Sequence, residues 1–98
     1  DIFKKDALKP NELAFIGEWV GKRGTFIRIW PDGRGDFRTA NSSMTGGRVS
    51  IENSSLKIGI FGFSKDWHID KRPYLENGNW MMQLDGEIFI RKGNGHTV

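Results

Sequence analysis

"FIRIWPDGRGDF", residues 26–37, is the stretch from which the fold is read. Phe26, Arg28 and Trp30 alternate with Ile27 and Ile29, which is the two-residue period of a β-strand with one apolar face. Pro31, Asp32 and Gly33 follow in the order a tight turn requires. "GDFRT", residues 35–39, then returns as a second strand, so the whole segment reads as a β-hairpin.

The same grammar extends in both directions. "AFIGEWV" (residues 14–20) reads as the preceding strand. "RVSIE" (48–52) places Val49 and Ile51 on one face, and Asn53-Ser54 makes a turn. In "LKIGIFGF" (56–63), Leu56, Ile58 and Ile60 are in phase, while Gly59 and Gly62 permit bending. "DWHID" (66–70) puts Trp67 and Ile69 on one side of a strand. "WMMQL" (80–84), Asp85-Gly86 and "EIFIR" (87–91) form a second clear hairpin, with Trp80, Met82 and Leu84 sharing a face. Two polar stretches, residues 40–47 and 71–79, read as the longer connections, the second closing on an Asn77-Gly78 turn.

About eight short strands joined by turns predict an all-β protein: a small antiparallel up-and-down barrel. Residues 1–13 contain no glycine. Ile2, Phe3, Ala7 and Leu8 suit a short helical arm that Pro10 would end. The expected organisation is an arm over 1–13, the barrel over 14–92 and a frayed tail over 93–98.

Composition agrees with this. The chain has 98 residues, 13 of them Gly, with four Trp and seven Phe to supply apolar volume. A domain of this length buries roughly 65% of the surface of its unfolded chain, so one core is feasible without staples. With no cysteine, neither a disulfide framework nor a cysteine zinc site is available. The formal charge of +3 is spread along the chain, giving a weak attraction to anionic partners. No run approaches the ~20 apolar residues of a membrane helix. A chain that opens on Asp1 is expected to have lost upstream residues, whether a signal peptide, a tag or part of a longer protein. A periplasmic or secreted location is slightly favoured over a cytoplasmic one.

The Gly17-Glu18-Trp19 triplet in the first strand resembles the G-x-W motif of the lipocalins and the wider calycin group. "WPDGRG" (30–35) and "LDGE" (84–87) extend that resemblance to small bacterial lipocalin-like domains of uncharacterised function. The resemblance implies an antiparallel barrel that holds a small hydrophobic ligand. It also implies that Trp19 closes one end of the barrel with Arg91 packed across it, a stacking that suits a guanidinium on an indole. The chain departs from the family pattern in its shortness, in lacking the T-D-Y motif and in having no long helix after the barrel. Short strands also suit the alternative of a barrel filled by side chains in place of a cavity.

The candidate chemistry is sparse. Asp66, His68 and Asp70 alternate on one face of a strand and would serve an acid–base pair or a metal only with further ligands. Their simpler reading is the solvent face opposite Trp67 and Ile69. The serines carry no G-x-S-x-G context, and "GKRGT" (21–25) lacks the rest of a phosphate loop. Arg23, Arg28, Arg34, Arg38 and Arg48 interleave with Phe26, Trp30 and Phe37, a pattern that single-strand binders use.

The expected function is therefore non-enzymatic: a binding module for a small apolar ligand or a partner protein. Ile58, Phe61, Trp67, Trp80 and Met82 are the expected lining of any cavity, and Trp19 and Arg91 the structural closure. A filled barrel acting as a structural or protein-interaction domain is the first alternative, and single-stranded nucleic-acid binding through the arginine-aromatic hairpin is the second. An exposed Met81 or Trp30 would point to a subunit contact, and a homodimer is among the expected assemblies. Neither a metal nor a cofactor is expected.

Overall fold

In a computed structural model of the chain, the structure describes residues 8–93. A 3-10 helix, Pro10–Phe15, leads into eight strands: β1 (Gly17–Gly21), β2 (Phe26–Ile29), β3 (Arg34–Arg38), β4 (Ser43–Glu52), β5 (Ser55–Ile60), β6 (Phe63–Glu76), β7 (Asn79–Leu84) and β8 (Glu87–Lys92). Each strand pairs antiparallel with the next, and β8 pairs with β1, so the sheet closes into an eight-stranded up-and-down barrel. Closure gives every strand a neighbour on both sides over part of its length, which matters for strands as aromatic as these.

The hairpin of residues 26–37 forms as its alternation predicts. Ile27 and Ile29 are buried, Arg28 and Trp30 face outward, and Trp30 N donates to Arg34 O at 2.9 Å across the turn. Inward side chains from every strand fill the barrel. Trp19, Ile27, Ile29, Leu56, Ile58, Met82, Leu84 and Phe89 are all within 1% of complete burial. Trp67 meets Phe37 edge-on, with centroids 5.5 Å apart.

Two strands are longer than the sequence suggests. Residues 40–47 were expected as a loop, yet β4 begins at Ser43. Its first half pairs with β3 and its second half with β5, and a bulge between Gly35 and Phe37 adjusts the register. Gly46 N donates to Asp36 Oδ1 at 2.8 Å, so the glycine pair is held in the sheet by a neighbouring side chain. Likewise residues 71–76 continue β6, which pairs with β5 over its first half and with β7 over its second. Register shifts between Ile69 and Lys71 and between Lys71 and Tyr74 accommodate Pro73, whose missing N–H is tolerated at a bulge. Turn-like composition here marks bends within strands.

The N-terminal reading also changes. Pro10 opens a 3-10 helix, as suits a residue whose absent N–H is not needed in the first turn. Ala14 and Phe15 belong to that helix, and the first strand starts only at Gly17. Lys9 N donates to Glu12 Oε1 at 2.9 Å, satisfying one donor at the helix start. The helical arm expected over Ile2–Leu8 falls almost wholly outside the described residues, as does the tail beyond Gly93. Among the described residues, no helix is long and apolar enough to cross a membrane.

Candidate functional site

The expected closure of the barrel is present at the end where β1 begins. Trp19 and Arg91 are direct partners in the β1–β8 register. The Arg91 guanidinium lies 5.6 Å from the Trp19 ring centroid and 5.1 Å from that of Trp80. Arg91 Nη1 also donates to Ile16 O at 3.0 Å and to Ala14 O at 3.4 Å, which ties the 3-10 helix across the opening. Trp19 Nε1 donates to Phe15 O at 2.8 Å, so the buried indole has its partner. Arg72 stacks on Phe15 from outside, 5.3 Å from its centroid. Burial lowers the pKa of Arg91 from its ordinary value by desolvating its charge.

Gly17 makes room for this arrangement. Its φ is +134°, and a Cβ there would stand 2.6 Å from Arg91 Cδ. The opposite end of the barrel is held by Glu87, which the sequence reading did not single out. Its buried carboxylate accepts from Arg23 N at 2.8 Å and Thr25 Oγ1 at 2.9 Å, and a side chain at Gly21 would overlap it.

The five residues expected to line a cavity separate. Ile58, Trp67 and Met82 are packed in the core. Trp80 is half-buried at the closed end against Arg91. Phe61 is not inside at all: it sits at the tip of the β5–β6 hairpin, 95% exposed. Strand alternation accounts for this, because Phe61 is out of phase with Leu56 and Ile58.

The Asp66, His68 and Asp70 row faces outward, opposite buried Trp67 and Ile69. Asp70 Oδ2 accepts from Gly86 N at 2.6 Å, and His68 N donates to Asp85 Oδ1 at 2.9 Å, so this strand braces the β7–β8 turn. His68 Nε2 lies 3.7 Å from Asp70 Oδ1.

On the outer face of β2, Arg28 is sandwiched between Phe26 and Trp30, at 5.7 and 5.2 Å, and is ion-paired with Glu18 and Asp36. The charge and both aromatic faces of this row are thus engaged within the protein. Trp30 is 42% exposed, while Met81 is half-buried.

The β5–β6 tip carries the most exposed large apolar side chains among the described residues. Four turns of two residues join successive strands, and three of them open on Asn53, Asn77 or Asp85 with positive φ. The fourth is Phe61-Gly62, with Phe61 at φ +36°. Asn and Asp tolerate this conformation, whereas a bulky residue there is an outlier. Ile60 (38% exposed) and Phe63 (76% exposed) flank the turn and pair with each other. The β4 pairing ends at Gly59 and the β7 pairing starts only at Ile69, so the tip overhangs both neighbours. An open cleft of about 350 Å³ runs beneath it, bordered by Arg48, Ser50, Lys57 and Ser64. The sequence held a signal for this site: an aromatic–glycine pair at the centre of a hairpin, where the sibling hairpins carry Asn or Asp.

Comparison of the chain with protein-family models, with curated proteins and with solved structures returned no match.

Proposed function

We propose that this protein is a non-enzymatic binding module of lipocalin-like type, in which the filled barrel is a rigid stem and the β5–β6 tip makes the contact. The observation that carries this reading is Phe61, an aromatic side chain at 95% exposure in a left-handed turn position. Its backbone conformation opposes folding and its exposure gives the core nothing in return, and such outliers collect at functional positions. The Trp19–Arg91 stack supports the lipocalin-like assignment.

An outer contact accords better with the core than an internal apolar ligand does. Ile58 and Met82 are fully buried against neighbouring side chains, which favours a packed interior over a ligand cavity. In the outward row of β6 the Asp70 carboxylate braces the β7–β8 turn, a structural use of that side chain.

Methyl NMR with a long-chain fatty acid as probe tests this reading. The buried Met82 methyl resonance is expected to stay in place. A saturable shift of that resonance would place a ligand inside the barrel and overturn the reading.

A further inference from the structure

We infer that the β5–β6 hairpin is a membrane-docking element that inserts Ile60, Phe61 and Phe63 into the surface of an anionic lipid bilayer. This rests on the reading of the tip as the contact element and names its partner.

The first argument is shape. The apolar residues occupy the convex end of a hairpin that overhangs its neighbours. A bilayer interface accepts such a projection from every side and buries apolar groups to a depth of about 5–10 Å. On the β5 side the overhang is Ile60 plus the turn, which matches that depth, and on the β6 side it extends from Phe63 to the first β7 pair at Ile69.

The second argument is charge placement. Arg48 and Lys57 lie on the outer face of the hairpin, with Arg48 paired opposite Gly59. Lys65 lies on the other face, paired opposite Ile58 and packed over Trp67 at 5.7 Å. Both lysines stand two to three residues behind the apolar tip, roughly 7–10 Å at the rise of a strand. When the tip is inserted, that spacing brings the cations to the level of the lipid headgroups on both faces. Asp66 is the register partner of Lys57, and Arg48 and Lys65 add two further cations beside that pair. A protein groove would contact one face of the hairpin and leave the opposite cation unused. Anionic headgroups surround both.

The third argument is the turn itself. Phe61 occupies a position where Asn would fold with less strain, and Gly62 at φ +76° completes the turn without adding bulk. The aromatic ring is therefore carried at the tip of the hairpin, 95% exposed.

Sedimentation with vesicles tests the inference. The protein is expected to pellet with phosphatidylcholine–phosphatidylserine vesicles and much less with phosphatidylcholine vesicles. Phe61→Asn and Phe63→Thr should each lower the partition coefficient about tenfold. Lys57→Gln and Lys65→Gln should each lower it about fivefold, and added salt should weaken it further. Phe61→Asn suits the turn, so its loss of binding cannot be attributed to misfolding, and an unchanged far-UV spectrum confirms this.

Absence of pelleting with anionic vesicles, equal pelleting with both vesicle types, or full binding by Phe61→Asn would each overturn the inference. A dimer in analytical ultracentrifugation that Phe61→Asn abolishes, without vesicle binding, would assign the tip to a second copy of the chain. That result rejects the lipid partner and leaves the surface-binding reading intact. A Met82 methyl shift on lipid addition would reject the surface-binding reading itself.

Discussion

Arg91 stands directly opposite Trp19 across the β1–β8 pair, with its guanidinium 5.6 Å from the indole centroid and held between that ring and Trp80. One side chain thereby joins the first strand, the last strand and, through the carbonyls of Ala14 and Ile16, the N-terminal helix. The first and last strands are locked together where the barrel closes.

Arg91→Ala should therefore lower stability by about 2 kcal/mol, from the lost stacking and the carbonyls left without their donor. In a domain of this size that corresponds to a fall in Tm of roughly 8–16 °C. Arg91→Lys should recover little of it, because an ammonium cannot stack and fork together. An unchanged Tm would remove the closing role. Burial lowers the Arg91 pKa, so the unfolded state holds this proton more tightly and its contribution to stability rises with pH only near that lowered value. The guanidinium stays charged around neutrality, and the Arg91→Ala deficit should be flat with pH there.

Gly17 and Arg91 should be coupled. Gly17→Ala introduces a Cβ 2.6 Å from Arg91 Cδ at a φ of +134°, and should cost about 1–3 kcal/mol. In combination with Arg91→Ala the two losses should fall short of additivity, since the second change removes the obstacle met by the first. Chemical denaturation of the four proteins in the cycle measures this. Strict additivity would mean that backbone strain alone accounts for Gly17.

Glu87→Ala should open the other end of the barrel. It strands Arg23 N and Thr25 Oγ1, which the carboxylate now accepts, and should cost about 2–3 kcal/mol. Glu87→Gln should be intermediate, because an amide presents one acceptor oxygen where the carboxylate presents two. Hydrogen exchange at Arg23 and Thr25 should accelerate selectively in both variants. Uniform acceleration over the whole barrel would argue against a local brace.

Much of this architecture is legible in the sequence, for identifiable reasons. Ile27 and Ile29 alternate strictly with Arg28 and Trp30, and the Asp85-Gly86 and Asn77-Gly78 pairs fix their turns. Trp19 and Arg91 are found through the family resemblance. Residues 43–47 and 71–76 mislead because Ser, Gly and Pro mark loops when taken locally. In a closed barrel, bulges absorb them and neighbouring strands satisfy their backbone. Phe61 is misplaced for the opposite reason. An aromatic residue next to an apolar strand suggests the core, but its parity with Lys57 and Gly59 directs it outward. Glu87 passes unnoticed because a carboxylate beside a D-G turn looks like surface until Gly21 and Thr25 close around it.

The central claim is that Phe61 is retained for a contact outside the barrel and at the expense of the fold. The melting temperature of Phe61→Asn tests it most directly. Asn relieves the left-handed strain at φ +36° and removes an aromatic ring that is 95% exposed. A stabilisation of about 0.5–1 kcal/mol is expected, seen as a rise in Tm of a few degrees. A fall in Tm comparable to truncating a core residue would show that Phe61 serves the fold, and would contradict the claim.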